Sequence, residues 1–391
     1  MGHAAGVREV DERRARLVRR QLAAGSAVEA ARAVVALHAT DPASVYLSVL
    51  ARCPALTLDD VAAALYEQRG LVRLMAMRRT LFVVPAELVP VVHAAASLDV
   101  AATSRRRLLA QLATLPTDPS LPDDLDGWLA GAEDATVAAA QRLGSASGAE
   151  LAAAEPRLRT ALLPTTAKAY DVRRTIASQV LVVLGAQGRL VRARPRGSWT
   201  SRQHAWEPAT AWWPEGIEPL DRAQASARLV EAYLRRFGPA TDTDLAWWTG
   251  WSQGRTRAAL AGVETVELAG GRVLADDADR TDEPAPTAVL LPALDPTPMG
   301  WKQREWFLPP DAGELYDAFG NVGPTIWWGG QVVGGWAVRP DGSIATALLV
   351  DAGQEARRSV DEAAVALAGR LGGAVVVPSF RTPLERRLSA G

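Results

Sequence analysis

The 391-residue sequence predicts a mainly helical α+β chain with a β-rich C-terminal segment. Three observations carry that prediction. Helical patterns closed by a strand–turn–strand recur roughly three times before residue 284. An acidic, proline-containing linker at 276–286 ends the recurrence. Beyond it, short apolar strands alternate with Gly-rich turns.

Taken in order, residues 13–23 read as a charged helix and residues 28–37 as an apolar one. Asp41 then offers an acceptor ahead of Pro42, suited to cap a helix whose apolar face is Tyr46, Leu47 and Leu50. Thr57 opens a helix over 58–68, and residues 71–74 and 81–84 form a hairpin closed by Pro85. A second unit follows the Pro/Asp-rich linker 118–126. Ser147 and Glu150 have capping-box spacing, Asp171 caps a helix through Leu184, and strands at 189–194 and 198–206 flank Pro195-Arg196-Gly197. The third unit has helices at 223–237, 242–249 and 253–260, with a Gly250-Trp251-Ser252 turn between the last two. Its hairpin, 265–268 with 272–275, turns at Gly270-Gly271. Helix, helix–turn–helix, hairpin is the winged helix order.

The domains predicted are therefore three tandem winged helix units, 8–95, 96–215 and 216–283, then a small C-terminal antiparallel β-barrel over 284–391. The barrel strands are 289–292, 325–328, 332–334, 336–338 and 345–350, with a closing helix at 360–370 and a last strand at 375–377.

The formal net charge of −1 excludes a uniformly basic nucleic-acid binder, so the distribution of charge decides. Lys168 and Lys302 are the only lysines. Abundant Ala, Gly and Arg point to compositional bias, and only clustering of arginine is informative. Cys53 is the single cysteine, which leaves no intrachain disulfide and no Cys-based zinc site. His3, His38, His93 and His204 lack metal-ligand spacing, so neither metal nor cofactor is expected. With no apolar signal core and no apolar run read as long enough for a bilayer, the expectation is a cytoplasmic protein without a membrane partner. No feature opposes a monomer.

Residues 189–202 hold Arg189, Arg192, Arg194, Arg196 and Arg202 with no acidic residue among them. On a hairpin, alternate residues share a face, so Arg192, Arg194 and Arg196 are expected to line one side, with Ser198 and Thr200 as neutral donors. Arg73, Arg78 and Arg79 form a smaller group on the first hairpin. Residues 261–320 are the opposite, with 12 acidic residues against 4 basic. A one-faced binder of double-stranded DNA with near-zero net charge shows this segregation. An exposed hairpin in an arginine-rich composition is the alternative. Glu264 and Glu267 make the third hairpin structural rather than DNA-reading. Lys302 and Arg304, at the start of the barrel, are placed against phosphate or solvent.

Several segments resemble a bacterial winged helix DNA-binding family that includes the azinomycin-resistance and crosslink-repair DNA glycosylases of the AlkZ-like type. They are Leu37-His38-Ala39-Thr40-Asp41-Pro42, the Met77–Pro85 run, Arg192-Ala193-Arg194-Pro195-Arg196-Gly197-Ser198-Trp199, the Tyr233–Thr241 run and Trp247-Trp248-Thr249-Gly250-Trp251. Leu291-Pro292-Ala293-Leu294-Asp295-Pro296 and Val333-Gly334-Gly335-Trp336 complete the set, which runs from about residue 10 to the end. The resemblance implies three winged helix units and a barrel around a positive channel. It also implies hydrolysis of the N-glycosidic bond of purines alkylated at N3 or N7, including damaged DNA carrying bulky adducts. Where the family carries Gln-x-Gln or Gln-x-Asp, this chain has His38-Ala39-Thr40.

An alkylated purine is already a good leaving group, so catalysis needs a positioned water and a stabilised oxocarbenium-like sugar. His38 can take the water's proton, Thr40 can orient it and Asp41 can offset the positive sugar. The competing readings are local: a histidine favoured by a helix C-terminus, an Asp N-cap and a turn threonine. A Schiff-base lyase would need an amine, and Lys302 is placed at phosphate or solvent, so no lyase activity is expected. The expectation is a monofunctional DNA glycosylase. The alternative is a non-catalytic winged helix DNA-binding protein or transcriptional regulator.

Overall fold

The computed structural model describes residues 2–166, 168–169, 172–279, 281–282 and 284–391, without the side chains of residues 2–5. Asp171, expected as a helix cap, lies outside the described residues. The fold is mixed α/β, about half helical, with several small antiparallel sheets. The chain divides into two units: Met1–Leu71, Phe82–Ala86 and Ser226–Gly391 form one, and Val72–Leu81 with Glu87–Ala225 the other.

In the first unit, Ser26 caps the helix Ala27–Ala33 through Glu29 N–H. This helix stops short of the expected residue 37. Val34 and Val35 are β-branched, Val35 takes a φ of +64°, and Leu37–His38 instead pairs as a short strand with Val83 and Phe82. Asp41 caps the helix Pro42–Arg52, with proline in its first turn. The helix beyond Thr57 begins as Leu58–Ala62 and widens into a π-helical turn, Ala63–Glu67.

Two contacts lock the helix Pro42–Arg52 to the segment that follows residue 291. Ser44 Oγ donates to the Ala293 carbonyl at 2.8 Å. The Asp295 carboxylate, wholly buried, takes both ends of the Arg52 guanidinium at 2.8 Å, Ser48 Oγ at 2.6 Å and the Thr297 N–H at 2.9 Å. Burial alone would raise the Asp295 pKa, but the Arg52 charge and these donors hold it below the ordinary value. Every oxygen of this buried pair is satisfied, the condition under which such a pair is tolerated. Beside it, Tyr233, Phe237, Trp248, Trp301, Trp306, Phe307 and Trp327 pack as a chain of ring contacts.

The expected C-terminal barrel is corrected. Val289–Leu291, Thr325–Trp328, Gln331–Val338 and Ile344–Leu348 form an open four-stranded antiparallel sheet in that order. The pairings are only three to five residues long, and the segment 375–377, expected as a further strand, is irregular. Too few strands exist to close, and helices Gly353–Leu371 and Pro383–Ala390 pack against the sheet instead.

The second unit buries Leu108, Leu112, Leu129, Leu151, Leu158, Ile176, Val180, Leu184, Leu190 and Trp206 in one cluster. Helix Leu98–Thr114 packs against Ala177–Ala186. Helical residues 86–114 are long and apolar enough to cross a membrane by composition, contrary to the reading that no such run exists, and half of the apolar window is buried inside the fold. The Ser147/Glu150 capping box forms as spaced. Leu190–Pro195 pairs with His204–Pro208, whereas residues 198–203, expected as strand, are a turn.

Candidate functional site

The loop preceding Pro42 is the first candidate. His38 is half-buried at the end of its short strand, its ring meeting Phe82 edge-on at 5.5 Å. The sequence places it just past a helix C-terminus, whereas here a strand pairing with Phe82 holds it. Thr40 is exposed. Asp41 is 6 % exposed and its carboxylate is already engaged. Oδ1 accepts from Ala43 N–H at 3.2 Å, and Oδ2 accepts from both the N–H and Oγ of Ser379 at 2.8 Å. Asp41 therefore ties the loop to the C-terminal segment. A cavity of about 20 Å³, lined by Asp41, Ser44, Ala293, Trp336 and Glu385 among others, adjoins it. That volume holds one water and no nucleoside.

The second candidate is the arginine group of the second unit. Arg73 is 4 % exposed. Arg192, 119 positions later in the chain, lies close enough that the two like charges interact. Burial first, then Arg73, pushes the Arg192 pKa down to about 10, and its guanidinium lies 4.8 Å over the Trp206 ring. His204 shares this environment. Burial, then the Arg73 and Arg192 charges, push its pKa down to about 3, against a hydrogen bond from its ring to the Ala193 backbone.

The expectation that Arg192, Arg194 and Arg196 share one face is corrected. The register shifts between Arg192 and Pro195, so alternation fails. Arg192 turns inward, Arg194 is exposed, and Arg196 is exposed but bonded to Glu150 at 2.6 Å. Arg78 and Arg79 are exposed at the tip of the other hairpin, with φ of 53° and 59°. Ser198 and Thr200 hydroxyls bond each other at 2.8 Å. The side chain of Lys302 is exposed, and the Lys302 backbone N–H donates to Asp244 Oδ1 at 2.8 Å. Arg304 stacks 4.9 Å over Trp247.

Of the adjacent tryptophans, Trp248 and Trp327 are core, whereas Trp212 and Trp213 are both only partly buried. Sequence reasoning missed Ser379 altogether. Its only local signal is a serine after Pro378, and its partner Asp41 lies 338 positions away.

A family model described as DNA glycosylase AlkZ-like matches residues 31–370. The solved structure of Streptomyces sahachiroi DNA glycosylase AlkZ is similar, with a TM-score of 0.66 at 19 % identity. The match covers 94 % of this chain and 98 % of that one. At that identity the likeness is one of fold. A search of curated proteins finds no significant match.

Proposed function

The chain belongs to the AlkZ-like DNA glycosylase family, and from that premise we propose that it is a monofunctional enzyme hydrolysing the N-glycosidic bond of bulky or alkylated N3/N7 purines in double-stranded DNA. It works as a cytoplasmic monomer built on winged helix units. The helix, helix–turn–helix and hairpin at Arg222–Phe237, Asp242–Thr249, Gln253–Leu260, Thr265–Leu268 and Gly271–Leu274 follow the winged helix order.

The observation that supports the chemistry most is the construction of residues 38–41. A half-buried imidazole and an exposed hydroxyl are held two residues apart by a strand pairing on one side and, on the other, an aspartate that accepts three hydrogen bonds. In this reading His38 accepts the proton of the attacking water and Thr40 orients that water. Asp41 holds the loop, and its negative charge offsets the developing charge on the sugar. The cationic base needs no acid.

Arg78, Arg79 and Arg194, which are exposed, receive the DNA backbone, with Arg196, Ser198 and Thr200 beside them, while the buried Arg73 and Arg192, expected to join them, act from beneath that surface rather than by direct phosphate contact. Lys302 and Arg304 supply further phosphate contacts. Lys302 forms no Schiff base, so borohydride should trap no covalent complex.

The decisive assay uses duplex DNA carrying N7-methylguanine, scored for abasic sites. His38→Ala should slow release by about 10²-fold or more, the usual worth of a general base, with duplex affinity unchanged. Tight duplex binding with no release by the wild-type protein would refute the enzyme and leave a DNA-binding regulator.

A further inference from the structure

Phe319 is 81 % exposed, more than any other large hydrophobic side chain among the described residues. A single exposed apolar residue is ordinary on a protein surface. Phe319 differs because a built turn presents it. Tyr316 and Val322 bridge at the base of a small hairpin. The Asp317 carboxylate accepts from the Phe319 N–H, the Asn321 N–H and Asn321 Nδ2, each at 2.8 Å. Gly320 closes the turn at a φ of +80°, the left-handed region that glycine enters without strain.

A second ring stands beside it. Phe380 meets Phe319 edge-on, with centroids 6.3 Å apart and planes at 89°. The residue before Phe380 is Ser379, the double donor that anchors Asp41. The aromatic pair is thus one residue from the tie that holds the 38–41 loop, and all of these residues belong to the first unit.

An enzyme that acts on a base within a duplex must draw it out of the stack, and an inserted apolar side chain offsets the unstacking. Resting on the reading that loop 38–41 handles the damaged nucleoside, we infer that Phe319, backed by Phe380, is a stacking wedge that fills the gap left by the extruded nucleotide. A phenyl ring stacks on any base, so the wedge demands no sequence.

The test uses the full chain and a duplex with 2-aminopurine next to N7-methylguanine, read by fluorescence under saturating protein and by single-turnover base release. Wild type should raise the 2-aminopurine signal. Phe319→Ala should lose most of that rise and slow release by about tenfold or more, with an unchanged thermal midpoint. Phe319→Trp should keep both. His38→Ala should slow release by about 10²-fold or more yet keep the rise, which separates the wedge from the chemistry of the loop. If His38→Ala releases base normally, the loop reading fails and the fluorescence alone judges the wedge. An equal rise for Phe319→Ala and wild type, or no rise with wild type, overturns the wedge.

Discussion

His204 shows how one side chain registers its surroundings. A buried imidazole beside two guanidinium groups resists protonation, so its folded pKa sits at about 3, below the ordinary 6.5. The unfolded chain then binds the extra proton first. Stability associated with this group is full above pH 6.5 and is lost as pH falls toward 3. Moving from pH 7 to 4 should cost roughly 3 kcal/mol through His204 alone. Urea titrations at the two pH values should show that loss, and His204→Gln should reduce it. Ser379→Ala should lower base-release turnover while leaving duplex affinity intact, and Ser379→Thr should restore part of it. Equal kinetics for Ser379→Ala and wild type would remove Asp41's anchor from the mechanism. The Asp41 cap was legible because Asp-Pro is a local signal. Its bond to Ser379 and the meeting of Arg73 with Arg192 were not, because no local pattern encodes a contact across more than a hundred residues.

Elements with a self-contained start formed where their sequences said they would. The helix Asp242–Thr249 begins with a capping box in which Thr241 and Asp244 satisfy each other's backbone, and Gly250 ends it in the left-handed region. Asp244 does more than its local pattern reveals. Its Oδ1 also accepts the Lys302 N–H at 2.8 Å, tying helix to loop. Thr241→Ala should cost about 1 kcal/mol in urea unfolding, the usual worth of an N-cap. Asp244→Ala should cost more, about 2 kcal/mol, because it strands the part-buried Lys302 backbone N–H as well. Equal costs would show that the Lys302 contact contributes nothing. The C-terminal strands were legible as strands from their apolar runs. Their failure to close was not, because closure depends on pairing partners and on the helices Gly353–Leu371 and Pro383–Ala390, whose packing leaves no period in the strands.

Across the molecule, charge is divided between the two units. The second holds 18 basic against 15 acidic residues, and the first 25 against 29. A near-neutral total therefore conceals a basic body, which is why composition alone could not place the DNA face. Replacing Arg78, Arg79 and Arg194 together by Ala should reduce the slope of log affinity against log salt by about 2–3, if each contacts one phosphate. An unchanged slope would move the backbone contacts elsewhere.

The chain enters and leaves the second unit twice, first for Val72–Leu81 and again for Glu87–Ala225. No single pair of cuts can therefore separate the two bodies cleanly, because a fragment of residues 72–225 holds the second but carries Phe82–Ala86 away from the first. A fragment limited to residues 87–225 forfeits the ten-residue excursion that carries Arg73, and any chain stopped at residue 225 discards the larger part of the other body. In truncation mapping or fusion design, lost activity in a fragment would therefore report a broken weave as readily as a missing domain.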